Sequence, residues 1–379
     1  MTKPITTIAA RVRVLTPVHI GTGSELLLDY DIIPRDGRTY RVNEDALLAH
    51  VLTGEAGDAL TDRMLQGRPP RELLQNTDYE RTELFRYVMP GTPFTTTPGS
   101  RVREQIKDVY DQVYLPGSSL KGALRTMLFW AHFANAGAKP DITLIPERGD
   151  PRRAAEQLER SVFVPNPAER RGNAPNYDWL RALHVADSNA LPVEGHMQLR
   201  TAMIYPTKTS ETEGLRVDVE AVTEGAFRVA LSIEEFPFED ADAAEKLAWS
   251  KDVERARLAQ LAAIGRRYAE HRLEDEIAFF RRGPAAVLQV MQALLAHLNA
   301  LPPNAFLLQL GWGAGWEDKT LGIGLLRQRA NEFEGLLEDY RMLKPGTKRE
   351  PGDPFPKTRA VIMRNKALEA PPGWVEFRL

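Results

Sequence analysis

The chain contains no cysteine. That absence excludes a disulfide scaffold, a Cys-ligated zinc site, an iron–sulfur cluster and a thiol nucleophile, and it fits a reducing compartment. Excess positive charge is also missing: 49 Lys and Arg stand against 52 Asp and Glu, for a net charge of −3. Any nucleic-acid partner must then be held by a local basic patch, because the global field does not attract it. No stretch approaches the roughly 18 uncharged apolar residues of a membrane span. The N-terminal MTKPITTIAARVRVLTPVH lacks the charged start and apolar core of a secretion signal. The expectation is a cytoplasmic protein. The seven histidines show no H-E-x-x-H or other ligand spacing, so neither a structural metal nor a cofactor is expected.

What is present is a globular balance, 43% hydrophobic with 27% charged, which excludes a disordered chain. At about 150 residues per domain, 379 residues suggest two domains. Strands are expected at 8–15, 40–42, 113–115, 180–185, 195–205, 214–233 and 306–310, with a closing strand at 374–379. Asn43 caps a helix through Leu52. Residues 57–88 read as helical, broken at Arg68-Pro69-Pro70, and 102–108 reads as loosely extended. Ser118 or Ser119 caps a strong helix that Gly137 closes. Further helices are expected over 238–282, from Pro284 to Asn299, and over 332–343. The segment 137–175, rich in Pro, Arg, Asp and Gly, is expected to be partly mobile. Strand, helix and glycine loop recur in each half. The expected architecture is therefore α+β in two units, 1–190 and 191–379, divided near Ala190 to Glu194, with a helical insertion near 238–300.

Three glycine loops carry the chemistry. In TPVHIGTG, Gly21 and Gly23 free backbone N–H groups for close approach to a phosphate, and His19 can donate to it or act in acid–base chemistry. The alternative is a tight loop with His19 packed on the sheet. In LPGSSLKGALR, Gly117, Ser118 and Ser119 precede a helix N-terminus, where unpaired N–H groups favour an anion. Lys121 and Arg125 are four apart and share a helix face, so replacing both is expected to weaken RNA binding. Gly122 early in a helix costs about 1 kcal/mol relative to Ala and calls for something that must come close. The alternative is a capped helix with two solvated cations. In LQLGWGAGWEDKTLGIG, Gly311, Gly313 and Gly315 form a turn, Lys319 can meet a phosphate, and Trp312 and Trp316 either stack bases or fill the core.

Other patterns carry less. Ser118 and Lys121 form an S-x-x-K, but Asp187-Ser188-Asn189 and Lys319-Thr320-Leu321 only approximate the partner motifs of a serine hydrolase. Asp29, Asp31, Asp108 and Asp111 read as solvated carboxylates. The doublets Arg152-Arg153, Arg170-Arg171, Arg266-Arg267 and Arg281-Arg282 read as solvated, or as an RNA grip in the 137–175 segment.

The order of the motifs is itself informative. A strand leading into HIGTG, then VREQIKDVYDQVYLPGSSLKGALRT, then HVADS, then GWGAGWEDKTLG resembles the RAMP superfamily of CRISPR effector proteins, most closely the family of fifth Csm subunits of type III-A systems. The resemblance spans nearly the whole chain. It implies two RRM-like, ferredoxin-type domains and a subunit capping the 3′-end side of the guide RNA beside the Csm backbone subunits. It also implies support for guide 3′-end maturation by outside nucleases in antiviral defence. It places His19, Gly21 and Gly23, then Gly117, Ser118, Ser119, Lys121, Gly122 and Arg125, then Gly311, Gly313, Gly315 and Lys319, against RNA. GTG replaces the commoner GSG, and HVADS has Ala where Ser is usual; neither change removes a charge. Glycine loops with Lys and Arg bind phosphates without reading bases, and the missing metal and nucleophile motifs argue for binding over catalysis. The second reading is a metal-independent endoribonuclease with His19 as acid or base, although one histidine without a partner is a thin catalytic site.

Overall fold

The computed structural model of the chain describes residues 5–53, 57–136, 139–146, 150, 153–169, 174–206, 214–316, 318–320, 330–343 and 353–379. Strand β1 (Ile5–Val14) alternates as its sequence requires: Ala10, Val12 and Val14 are buried while Arg11 and Arg13 face out. It pairs antiparallel with β10 (Ala226–Glu234) on one side and β14 (Trp374–Arg378) on the other. Beyond β10 lies β7 (Leu183–Val185), and beyond β14 lies β11 (Ala305–Gln309). Helix α3 (Gly117–Ala136) falls between β1 and β7 in the chain, and α5 (Leu261–Phe280) and α6 (Ala285–Ala300) fall between β10 and β14. The spatial order β14-β1-β10-β7 with that chain order traces the split βαβ, ferredoxin-like pattern; β11 is an added edge.

Strands β11 and β14 are buried on both faces, which is why they read as continuous apolar runs. Phe306, Leu308, Val375 and Phe377 join the main core. Ala305, Leu307 and Trp374 join a second core that includes Leu273, Val287 and Met291 of α5 and α6. Helix α5 lies so close to β11 that a Cβ on Gly265 would stand 2.3 Å from the Phe306 ring.

A second sheet runs β13 (Ala367–Ala370), β12 (Thr358–Arg364), β8 (Met197–Pro206), β9 (Leu215–Val222), β6 (Arg101–Gln105), β2 (Gly21–Leu27). Its pairs are antiparallel except β6 with β9. A third, small sheet of β3 (Ile32–Arg35), β4 (Arg38–Val42) and β5 (Phe85–Pro90) carries α1 (Glu44–Thr53) over its own core of Ile33, Val42, Leu47, Val51 and Leu73. Both large sheets contain strands from either side of residue 190, so a cut between 1–190 and 191–379 passes through both.

Several expectations need correction. Helix α2 (Gly57–Leu65) ends early, and 85–90 is strand β5. Phe85, Tyr87 and Met89 are buried in strict alternation, a period of two that a helix cannot satisfy. Val113 makes only isolated bridges, to Lys107 and Leu191. In 137–175 the described residues include α4 (Glu156–Phe163), whose Leu158, Val162 and Phe163 are buried. The stretch 238–282 is helical as expected but in pieces, with short helices at Ala241–Leu247 and Ala256–Ala259 and a π-helical turn at Lys251–Arg255 before α5. Helix α7 spans Ala330–Asp339. Arg152, Arg170 and Arg171 lie outside the described residues.

Candidate nucleic-acid interface

Helix α3 begins at Gly117, so Ser118 and Ser119 lie inside its first turn rather than before it, and its cap comes from elsewhere. The Gly117 N–H donates to Asp187 Oδ1 at 2.7 Å, and the Leu115 N–H donates to Ser188 Oγ at 2.9 Å. The HVADS segment thus supplies the carboxylate that a helix N-terminus attracts. Gly117 is buried, and a Cβ there would stand 2.1 Å from the Val185 carbonyl. The Gly117 N–H of the expected anion site is therefore already taken by the protein's own carboxylate.

The two cations of this helix also serve the fold. Lys121 Nζ donates to the Leu183 carbonyl at 2.7 Å, and burial lowers its pKa. Arg125 pairs with Glu159 and, at 2.8 Å, with Asp178, and its guanidinium lies 3.8 Å over the Phe163 ring. Burial works against the Arg125 charge, but Asp178 and Glu159 outweigh it and raise the pKa. Helix geometry explains the correction. Ser119, Gly122, Ala123 and Thr126, spaced i, i+3, i+4 and i+7, form one face and line a cleft. Lys121 and Arg125 fall on another face, against β7 and α4.

That cleft, about 670 Å³, is where the three glycine loops meet. Its walls are His19 to Gly21 and Gly23 to Glu25 from the first loop, the α3 face, and Gln309 to Trp312 with Asp318 and Lys319 from the last. The first and last loops are joined at the backbone: the Trp312 N–H donates to the His19 carbonyl at 2.7 Å. Gly311 makes that contact possible. Its φ is +74°, and a Cβ would stand 2.2 Å from the His19 oxygen. Gly313 packs on Pro372, and Gly315 is not among the lining residues.

His19 is 2% exposed. Its Nδ1–H donates to the Glu220 carbonyl at 2.7 Å, which fixes the neutral tautomer with the proton on Nδ1. Burial, helped by the nearby charges of Arg103, Lys107 and Lys319, lowers its pKa to about 4 against the pull of that hydrogen bond. The ring is thus uncharged near neutrality. Behind it lies a buried network centred on the Glu220 carboxylate, which accepts from the Tyr87 hydroxyl at 2.6 Å, the Gln105 N–H at 2.9 Å and Lys107 Nζ at 2.7 Å. Gln105 in turn accepts from the Ile20 N–H at 2.8 Å. The last loop is anchored by Asp318, which accepts from the Tyr268 hydroxyl at 3.0 Å and twice from the buried Arg272 at 3.1 Å, both on α5.

Two cations remain available in the cleft. Neither the Arg103 guanidinium nor the Lys319 ammonium forms a hydrogen bond or close ion pair with a described residue; Arg103 rests 4.8 Å from the centre of the Trp312 ring. Partial burial lowers the Lys319 pKa, opposed by Asp318. Lys319 stands where the sequence placed it. Arg103 was missed: it lies in a segment with weak alternation, and only the pairing of β2 with β6, Glu25 opposite Arg103, carries it to the loop edge. The two tryptophans divide between the alternatives. Trp312 lines the cleft, whereas Trp316 packs with Phe333 and Phe355.

The remaining candidates are structural. Asp29 pairs with Arg71, Asp31 with Arg41, and Asp111 with Arg86. Asp108 accepts from the N–H groups of Tyr110 and Gln112 in its own turn. Arg266 donates to the carbonyls of Leu301, Pro302 and Ala305, and Arg153 pairs with Glu156. Among the described residues no cluster of three or more acidic or histidine side chains is placed to hold a metal ion, and no helix is long and apolar enough to cross a membrane.

A strand–helix framework of this kind, with glycine loops gathered on one cleft, defines a class, and comparison with known proteins supplies it: the chain belongs to the RAMP superfamily, whose family model matches residues 11–318. A curated relative from Methanocaldococcus jannaschii, described as the CRISPR system Cms protein Csm5, is 22% identical over 393 residues, covering 98% of this chain and 89% of that protein. Among solved structures, a chain of the cryo-EM structure of a Csm–crRNA–target RNA ternary complex of a type III-A CRISPR–Cas system matches with a TM-score of 0.67 and 21% identity, covering 98% of this chain and all of that one. The crystal structure of T. onnurineus Csm5 matches with a TM-score of 0.65 and 21% identity, over 96% and 99% of the two chains.

Proposed function

We propose that this chain is a non-catalytic, guide-RNA-binding subunit of a type III-A Csm effector complex, working in the cytoplasm. In this reading it sits beside the Csm backbone subunits at the 3′-end side of the guide. It shields that end so that outside nucleases trim it to a defined length, in support of antiviral defence. The observation that carries the reading is the meeting of three glycine loops, up to about 300 residues apart in the chain, in one cleft that also holds Arg103 and Lys319. Cations without a hydrogen-bond or ion-pair partner among the described residues suit phosphates, and phosphate contacts position an RNA without reading its sequence. The relatives' names, a Csm5 protein and a Csm–crRNA complex, point the same way.

The finer account of the fold is part of the same proposal: two RRM-like units, 1–190 and 191–379, with strands exchanged between them and a helical insertion near 238–300. The ferredoxin-like order of the first sheet supports one such unit.

His19 speaks against the endoribonuclease alternative. A general acid at neutral pH needs a proton to give, and a general base works best with a pKa near the operating pH; a buried imidazole with a pKa of about 4 carries no proton on Nε2 and is a weak base there. The deciding experiment sequences guides from complexes purified with and without this subunit. Ragged or shifted 3′ ends with unchanged 5′ ends are expected on its loss. Identical 3′ ends, or damage confined to the 5′ end, would overturn the capping role. Incubating the purified chain with repeat RNA in EDTA should give no product; a defined product lost in His19→Ala would establish the nuclease instead.

A further inference from the structure

Trp312 is placed unlike the other aromatic side chains near the loops. Trp316 is enclosed by Phe333 and Phe355, with ring centres 5.7 and 5.1 Å away. Trp312 instead lines the cleft, half-buried, with the His19 ring standing perpendicular to it at 6.1 Å. Its backbone is tied to His19, so the indole's point of attachment is fixed at the cleft. The only group laid over its face among the described residues is the Arg103 guanidinium, 4.8 Å from the ring centre. Among the described residues nothing else anchors that guanidinium, so it can leave. On the α3 wall of the same cleft, Gly122 leaves open space: a Cβ there would meet nothing within 4 Å.

An indole face in a cationic cleft, covered among the described residues only by a long side chain with no other anchor there, is a stacking platform with a removable cover. We propose that Trp312 stacks one unpaired nucleobase of the bound RNA, and that Arg103 covers the indole in the free chain and swings to a neighbouring phosphate when the base arrives. This rests on the RNA-binding reading above and adds a base contact to it. The contact selects no base, because every base offers a π-face. It selects single strands over duplex, in which the face is already stacked.

The test uses the full chain and short single-stranded RNAs carrying one abasic site at each position in turn. One position should lose about tenfold in affinity for the unsubstituted chain, within the range of base–aromatic stacking, and less than about twofold for Trp312→Ala. Trp312→Phe, which keeps a ring in place, should restore most of the abasic penalty and guards against a merely misfolded variant. Trp312→Ala should leave the salt dependence of binding unchanged. Arg103→Ala should keep the abasic penalty but flatten the slope of log K against log salt by about 0.7. A flat abasic scan, or a penalty that survives in Trp312→Ala, overturns the stacking site while leaving RNA binding intact. An unchanged slope in Arg103→Ala overturns the swing. Failure of the unsubstituted chain to bind any RNA overturns the binding reading together with the site built on it.

Discussion

Two pairs of cations lie on the elements that build the cleft, and they have opposite fates. Lys121 and Arg125 occupy the motif that carries the family resemblance, yet Lys121 holds the Leu183 carbonyl and Arg125 holds Glu159 and Asp178. Arg103 and Lys319 also fall within the stretches that carry the resemblance, at VREQ and GWGAGWEDKTLG, but these two line the cleft. The difference teaches that a basic residue is a ligand-binding candidate only once its protein partners have been counted. A motif can owe its form to building the wall of a site rather than to touching what enters it.

His19 tests this comparison at its margin, because it lines the cleft but is held as a structural group. Its pKa, about 4 in the fold against 6.5 unfolded, means that the unfolded chain takes up the proton first. Stability from this group is full above pH 6.5 and is lost as pH falls toward 4, by about 3 kcal/mol in all. Denaturant unfolding across that window should show the loss in the natural chain and not in His19→Gln. Equal pH dependence in the two would place His19 among the solvated groups of the cleft.

The comparison is sharpened most directly by exchanging which pair is removed. Arg103→Ala with Lys319→Ala should weaken binding of single-stranded RNA by about 50-fold at low salt and flatten the log K–log salt slope by about 1.4, two phosphate contacts at about 0.7 each. Lys121→Ala with Arg125→Ala should leave that slope unchanged and lower unfolding stability by about 2 kcal/mol, the scale of charge-assisted hydrogen bonds lost from a partly buried site. A flattened slope in the second variant, with stability intact, would break the comparison and return the motif cations to the RNA.

The smallest effect is the most discriminating. Gly122 faces open space, so Gly122→Ala should raise stability by about 1 kcal/mol through helix propensity. Its RNA affinity should nonetheless fall, because the added methyl stands where a backbone must approach. A variant that is both more stable and equally tight would remove the reason for a glycine at that position.

Much of the framework was legible because local chemistry decides it. The alternation of Val12 and Val14 with Arg11 and Arg13, the apolar run at Ala305–Gln309, Pro284 opening α6 and the long apolar α3 follow from period, propensity and end signals. Strand β5 was misread because Phe85, Tyr87 and Met89 follow a broken helical pattern, and only their burial in alternation separates the two. Strands β12 and β13 were missed; β12, for one, is recognisable as a strand chiefly through its pairing with β8, a partner distant in the chain. The glycine loops and Lys319 could be named from the sequence, because glycine next to cations is a local signal. Arg103 could not, since its place depends on β2 meeting β6.

By itself, the sequence determined the class of the molecule. Without cysteine, metal-ligand spacing or a charge excess, and with three glycine loops in a fixed order, it specified an α+β chain with cations beside those loops. Which of those cations face the cleft was decided only by the tertiary structure. Helical geometry turns residues 119, 122, 123 and 126 toward the cleft and 121 and 125 away from it. Asp187, 70 residues along the chain, takes the Gly117 N–H at the helix N-terminus that would otherwise attract a phosphate. Partners so far apart in sequence leave no local trace, because the Coulomb and hydrogen-bond terms that assign each charge depend on distances that exist only after folding.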